Sequence, residues 1–201
     1  YSFSKANGVI FLNKYAKDII LPVTKDVNSS TTIVPHGIDD QFFCEPRKQI
    51  KINNYSTENP FKLIYISPLE PYKHHDNVVK AVSMLRKKGF PLILDMYGFP
   101  SRSFIENRLS KLIKEQDPGS IFLEYHGTIN HELIFEKYNR ADAAIFASSC
   151  ENLPITLLES MASGLPIVSS NMLPMSEILG DNGLYFDPLD PISIKNSLQE
   201  M

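Results

Sequence analysis

A chain of 201 residues with 43% hydrophobic and 21% charged residues, 9 glycines and 14 prolines lies within the globular range, which excludes disordered, collagen-like and coiled-coil readings. Its 20 basic and 23 acidic residues give a formal charge of −3 and none of the basic surplus of a nucleic-acid binder. Two cysteines, Cys44 and Cys150, are too few for a disulfide framework and point to a reducing compartment, the cytoplasm.

The opening, YSFSKANGVIFLNKY, has no basic region followed by a long apolar stretch, and no apolar run approaches the length of a membrane span. The chain starts without methionine inside an apolar-periodic segment, as a piece of a longer protein would. GVIFLN and KYAKDIIL read as a strand and a helix, and TTIVPHGIDD follows as a short apolar run. N-x-S triplets at Asn28 and Asn54 fit chance in a chain so rich in Asn and Ser. Residues 45–59, EPRKQIKINNYSTEN, are polar and non-periodic, a loop or linker.

From Phe61 onward the pattern is regular. FKLIYIS, PLILDMYG, IFLEYHG, AAIFASS, LPIVSS and GLYFDP are short apolar runs, the first five separated by helical periodicity. Val78, Ala81, Val82 and Leu85 share one helix face, and Phe104, Ile105, Leu109, Leu112 and Ile113 repeat the stripe. Asn130 and Pro154 are helix-start signals. Strands alternating with helices imply right-handed βαβ units, and near-continuous apolar strands imply a sheet buried on both faces. The expected fold is α/β, a Rossmann-like, doubly wound, mostly parallel sheet. Such sheets bind ligands at the carboxyl ends of their strands.

The segment SSCENLPITLLESMASG, residues 148–164, joins a strand end to a helix start. Amides of Ile155, Thr156 and Leu157 at that helix start would hold a phosphate through their donors and the helix dipole. Glu151 in the loop and Glu159 one turn into the helix bracket this site. Carboxylates there make sense if they accept hydrogen bonds from sugar and ribose hydroxyls. The plainer alternative makes Glu159 a solvated helix residue and Glu151 an acidic residue favoured by the dipole.

The string ADAAIFASSCENLPITLLESMASGLPIVSSNMLPMSEILGDNGLYFDP resembles the donor-binding region of the retaining, two-domain (GT-B fold) glycosyltransferases of family four. Glu151 and Glu159 match its E-seven residues-E signature, and SMASGLPIV continues the match. VPHGID resembles the family's passage into its second domain. SPLEPYKHHDNVVKAV resembles its R-L-x-P-x-K-G stretch, and YHGTI its base-binding loop.

The resemblance implies the C-terminal half of a GT-B fold, with residues 1–31 as the end of the N-terminal domain or a linker and 32–201 as the nucleotide-sugar-binding domain. It implies that Glu151 holds donor-sugar hydroxyls as the catalytic-site carboxylate. The amides of Ile155, Thr156 and Leu157 would hold the diphosphate, and Lys73 would neutralise it. Glu159 would grip the ribose, while Gly127, Thr128 and Ile129 would line the base. A hexose would pass from a nucleoside diphosphate sugar to a glycan or lipid-linked acceptor, with retention and without a metal or other cofactor. The diphosphate itself would assist the incoming hydroxyl. Most acceptor contacts would come from the missing N-terminal domain. No nucleic acid and no transmembrane segment enter this reading, and attachment at the inner membrane face is compatible with it.

Three positions depart from the family pattern. Pro68 replaces its phosphate-binding Arg, His74 the Gly after its Lys, and Pro154 the Gly three residues after its first Glu. Residues 141–194 contain seven acidic residues and no Lys or Arg, so a pyrophosphate there needs a cation from elsewhere, and Lys73 is best placed. Lys80, Lys87 and Lys88 read as a solvated helix face.

His74 and His75, adjacent at a helix start, do not converge on one metal ion. His36 is a candidate hinge or acceptor contact, whereas His126 and His131 read as surface or loop residues. Cys150, Met161, Met172 and Met175 read as packing. Two other functions fit the same pattern: a related nucleotide-sugar epimerase, and a non-catalytic nucleotide- or partner-binding module.

Overall fold

The structure, a computed structural model, describes residues 2–24, 30–43, 45 and 47–201. The triplet at Asn28 and Cys44 lie outside the described residues. A short helix α1 (Ser2–Lys5) precedes β1 (Gly8–Phe11), α2 (Lys14–Ile20) and β2 (Ser30–Ile33). β1 and β2 form a separate two-stranded parallel sheet in which Gly8 to Phe11 pair with Ser30 to Ile33. The boundary expected after Thr31 falls within β2. Among the described residues of 45–59, a single 3-10 turn at Ile52–Asn54 breaks the irregular path.

The main body comprises β3 (Phe61–Ile66), α3 (His75–Lys87), β4 (Leu92–Tyr97), α4 (Ser103–Gln116), β5 (Leu123–Tyr125) and α5 (Ile134–Tyr138). It continues with β6 (Ala143–Phe146), α6 (Ile155–Ala162), β7 (Ile167–Ser170), α7 (Met175–Leu179), β8 (Leu184–Phe186) and α8 (Pro191–Glu200). All six apolar runs thus contain strands, in the fully parallel order β5-β4-β3-β6-β7-β8. The sheet winds outward from β3 in both directions, so its topological switch point lies between β3 and β6, paired through Leu63↔Ala143 and Ile64↔Ala144.

Alternation along the strands supplies two cores. Leu63, Tyr65, Leu94, Met96, Ala143, Ile145 and Val168 pack with Val78, Val82, Leu85, Leu109 and Ile194 of α3, α4 and α8. Ile64, Ile66, Ala144, Phe146 and Ile167 pack with Ile134, Tyr138, Leu157, Met175 and Leu179 of α5, α6 and α7. The α3 stripe is wholly buried as its spacing predicts. In α4 the stripe is Ile105, Leu109, Leu112 and Ile113, and Phe104 is exposed instead. It sits one residue, about 100°, off the face that those four define.

Candidate functional site

Two loops meet at the switch point, one after β3 and one after β6. In the first, a 3-10 turn at Pro71–Lys73 ends at His74, which adopts the left-handed conformation (φ 48°, ψ 35°) before α3 starts. Glycine suits such a backbone best, which explains the family's glycine at this position; here a histidine bears the strain. His74 is held by its ring, whose Nε2 lies 2.8 Å from Ser149 Oγ in the second loop. The amide of Ser149 donates to the Tyr72 carbonyl at 2.8 Å, tying the two loops together by backbone as well. Burial pushes the His74 imidazole below its ordinary pKa, with Asp187 and Asp76 opposing.

This junction brings Lys73 to Glu151. The Lys73 ammonium donates to Glu151 Oε1, and the two side chains are only 7% and 12% exposed. The ammonium also lies 5.0 Å from the centre of the Phe146 ring and 5.6 Å from that of Tyr72. The backbone behind it is pinned by the buried Tyr65 hydroxyl, which donates to the Lys73 carbonyl at 2.6 Å. Tyr65 in turn stacks on His75 (centroids 4.6 Å apart), whose Nε2 lies 3.2 Å from Ser67 Oγ. A cation and a carboxylate taken out of water together must be paired, because either alone would be costly to bury.

Glu159 occupies a second polar position. It is 2% exposed; Oε1 lies 2.9 Å from His131 Nε2, and Oε2 is buried with no partner among the described residues. A buried acceptor without a donor is unfavourable. The solvated-helix alternative for Glu159 does not hold. Burial raises its pKa above the ordinary carboxylate value, partly offset by His131.

His131 also connects Glu159 to the loop after β5. Gly127 has φ 74° and its carbonyl accepts from Gly98. Thr128 is exposed and Ile129 half-buried against the α5 and α6 side of the core. Asn130 caps the following 3-10 turn by accepting the Glu132 amide, as its type predicts. Gly98 is needed where β4 ends, since a Cβ there would lie 1.8 Å from the Ser67 carbonyl oxygen.

The start of α6 differs from the expectation in one respect. Pro154 is the N-cap, and Ile155 N donates to Leu153 O while Leu157 N donates to Pro154 O. The turn that proline imposes thus uses two of the three amides, leaving that of Thr156 without an acceptor among the described residues. Cys150 is exposed, not packed, because it sits in the loop between Ser149 and Glu151. Met175 is buried and Met161 and Met172 are packed against the core, as expected. Lys80, Lys87, Lys88 and His36 are exposed.

The His131–Glu159 and His74–Ser149 contacts were not read from the sequence, because both join residues far apart in the chain. His126 is likewise more than a surface residue. It stacks on Tyr97 (4.4 Å) and meets Asp95 through Nε2 at 2.7 Å and Glu124 through Nδ1 at 3.6 Å. The two carboxylates approach opposite nitrogens of one ring. One donor atom from each of Asp95, Glu124 and His126 lies within 4.8 Å of the other two, so the imidazole bridges the carboxylates in a group that could also hold a metal ion.

The profile described as "Glycosyl transferases group 1" matches residues 46–201. The chain belongs to the group 1 glycosyl transferases. Within that family it is 28% identical to the O-antigen chain mannosyltransferase B of Escherichia coli, over 98% of this chain and 50% of that protein. It is also 28% identical to the UDP-N-acetylglucosamine–peptide N-acetylglucosaminyltransferase GtfA subunit of Streptococcus parasanguinis, over 69% of this chain and 27% of that one. The chain therefore spans half or less of the length of these relatives.

Solved structures agree on the fold. The sucrose-phosphate synthase of Thermosynechococcus elongatus superposes with a TM-score of 0.77 at 22% identity, over 98% of this chain and 49% of that one. The pneumococcal O-GlcNAc transferase GtfA, in complex with UDP and GlcNAc, gives 0.72 at 20% identity, over all of this chain and 40% of that one. Among the described residues of this group 1 glycosyl transferase, no helix is long and apolar enough to cross a membrane.

Proposed function

We propose that this chain is the donor-binding half of a retaining group 1 glycosyl transferase that moves a hexose from a nucleotide sugar to a glycan or lipid-linked acceptor. The observation that carries the reading is the convergence of Lys73, Glu151 and the start of α6 at the switch point of the sheet. The relatives, a mannosyltransferase and an N-acetylglucosaminyltransferase, and a neighbour bound to UDP and GlcNAc support this donor class. Lys73 and the Thr156 amide would hold the diphosphate, and Glu151 the sugar hydroxyls. Glu159 would take the ribose, and Gly127, Thr128 and Ile129 would line the base.

In this reading the bond from the anomeric carbon to the diphosphate breaks while the bond to the acceptor oxygen forms on the same face. The acceptor's proton passes to the departing diphosphate, and no metal takes part. Residues 1–31 then close a preceding acceptor-facing domain, and 32–201 form the donor domain.

The test is a thermal-shift panel of UDP, GDP and ADP with their mannose, glucose and N-acetylglucosamine conjugates, since a ligand of the folded state raises Tm. At least one diphosphate and its conjugate should stabilise the chain. The whole protein, given that conjugate and a glycan acceptor, should yield a product with the donor's anomeric configuration. Inversion would overturn retention, interconversion of the free donor would favour an epimerase, and no stabilisation would favour a non-catalytic module.

A further inference from the structure

The Lys73–Glu151 pair has a consequence for which ligand the site prefers. Without ligand, the Lys73 ammonium has its counter-ion in Glu151, and residues 141–194 around the diphosphate position contain no other Lys or Arg. A diphosphate that recruits Lys73 must compete with Glu151. We propose that Glu151 latches Lys73 in the empty site, so that the site discriminates in favour of the intact nucleotide sugar and against the free nucleoside diphosphate left after transfer.

The discrimination follows from what each ligand does to Glu151. A free diphosphate draws away its ammonium and sets two more anionic groups beside a carboxylate that is 12% exposed. Nothing replaces the lost partner, and an uncompensated buried charge is strongly unfavourable. The intact donor brings sugar hydroxyls, which donate to the carboxylate as the ammonium leaves it. The latch therefore opens at low cost for the substrate and at high cost for the product. Lys73 is held for this exchange. Its carbonyl is fixed by Tyr65, and its ammonium stays near the Phe146 and Tyr72 rings, so little ordering remains to be done.

This inference rests on the donor reading above, and one set of titrations separates the two. Using whichever of UDP, GDP or ADP stabilises the chain, Kd is measured for the diphosphate and for its hexose conjugate. The variants are Glu151→Gln, Lys73→Gln and the double substitution. Wild type should bind the conjugate at least about tenfold more tightly than the diphosphate. Glu151→Gln should tighten the diphosphate about tenfold and collapse that ratio. In the Lys73→Gln background the same change should have an effect of twofold or less, because no latch remains to be released.

Persistence of the full gain in that background would show simple repulsion and overturn the latch. An unchanged or weakened diphosphate Kd in Glu151→Gln would overturn it too, leaving the donor reading in place. Absence of binding by every ligand in wild type would overturn both. If Glu151→Gln proves unstable, Glu151→Asp keeps the charge but draws it back by one methylene. It should shift the diphosphate Kd in the same direction by about threefold, and no shift would overturn the latch.

Discussion

Glu159 holds a carboxylate that the fold pairs through one oxygen only, with His131. Its buried Oε2 has no partner and burial raises its pKa, so the folded state favours the protonated form. That stabilising contribution is complete below about pH 4.5, the ordinary value, and is lost as pH rises through the higher folded value. Glu159→Gln, neutral at every pH, should melt with wild type near pH 4 and above it by pH 8. A difference of about 1 kcal/mol corresponds to roughly 2–4 °C. The same variant should bind nucleoside diphosphate about tenfold more weakly, the effect of one charge-assisted hydrogen bond. A pH-independent Tm difference would refute the electrostatic account. His75 has the opposite sign. Burial first, then Lys73 and His74, push its pKa down to about 3. Its neutral form stabilises the fold above its unfolded value near 6.5, and that contribution is lost as pH falls toward 3. Urea unfolding between pH 7 and 4 should show a shallower loss of stability in His75→Gln. Equal slopes would contradict it.

At the scale of elements, the first turn of α6 is where proline changes the expected cradle. Two amides are already engaged, so an incoming phosphate should meet that of Thr156 first. In an amide NMR titration with inorganic pyrophosphate, Thr156 should show the largest shift in this turn, ahead of Ile155 and Leu157. A uniform response of all three would mean that the turn rearranges on binding. The helices and strands themselves were legible because burial imposes its period on the sequence. Val78, Val82 and Leu85 had to lie on one face, and β6 and the buried part of β3 from Leu63 onward had to be apolar because both their faces are covered. Sequence spacing carries no such trace of the pairing between loops. That Lys73 meets Glu151, 78 positions away, follows only once β3 and β6 are neighbours. His131 was unreadable for the same reason: its partner lies 28 residues on, beyond another strand. Cys150 looked like packing by residue type, yet it lies exposed in the loop between β6 and α6.

Two clamps hold the whole molecule together, at opposite ends of the sheet. At the amino ends of the strands, Asp142 is fully buried and collects the irregular stretch before β3. Its carboxylate accepts from the Tyr55 hydroxyl at 3.0 Å, the Lys62 amide at 2.9 Å and the Arg47 guanidinium at 3.3 Å. A segment that reads as a loop from composition is thus fixed by one carboxylate. At the carboxyl ends, the first turn of α2 is capped from the main body. The Lys14 amide donates to Glu177 Oε1 at 2.7 Å and the Tyr15 amide to Oε2 at 2.9 Å, while Asn13 donates to the Asn152 carbonyl beside Glu151. The segment between β1 and β2 therefore touches the loop that carries Glu151, and its attachment depends on an exposed residue of α7. A surface carboxylate at a helix N-terminus contributes about 0.3–1 kcal/mol, so Glu177→Ala should accelerate hydrogen exchange in α2 by roughly two- to fivefold. Exchange in β3, β4 and β6 should not change, because their bonds lie in the core of the six-stranded sheet. Asn13→Ala should loosen the same helix, since it removes both the α2 cap and the contact to Asn152. If exchange rose equally across both sheets, the small sheet and the main body would be one cooperative unit, and Glu177 would not be the separable clamp that its hydrogen bonds describe.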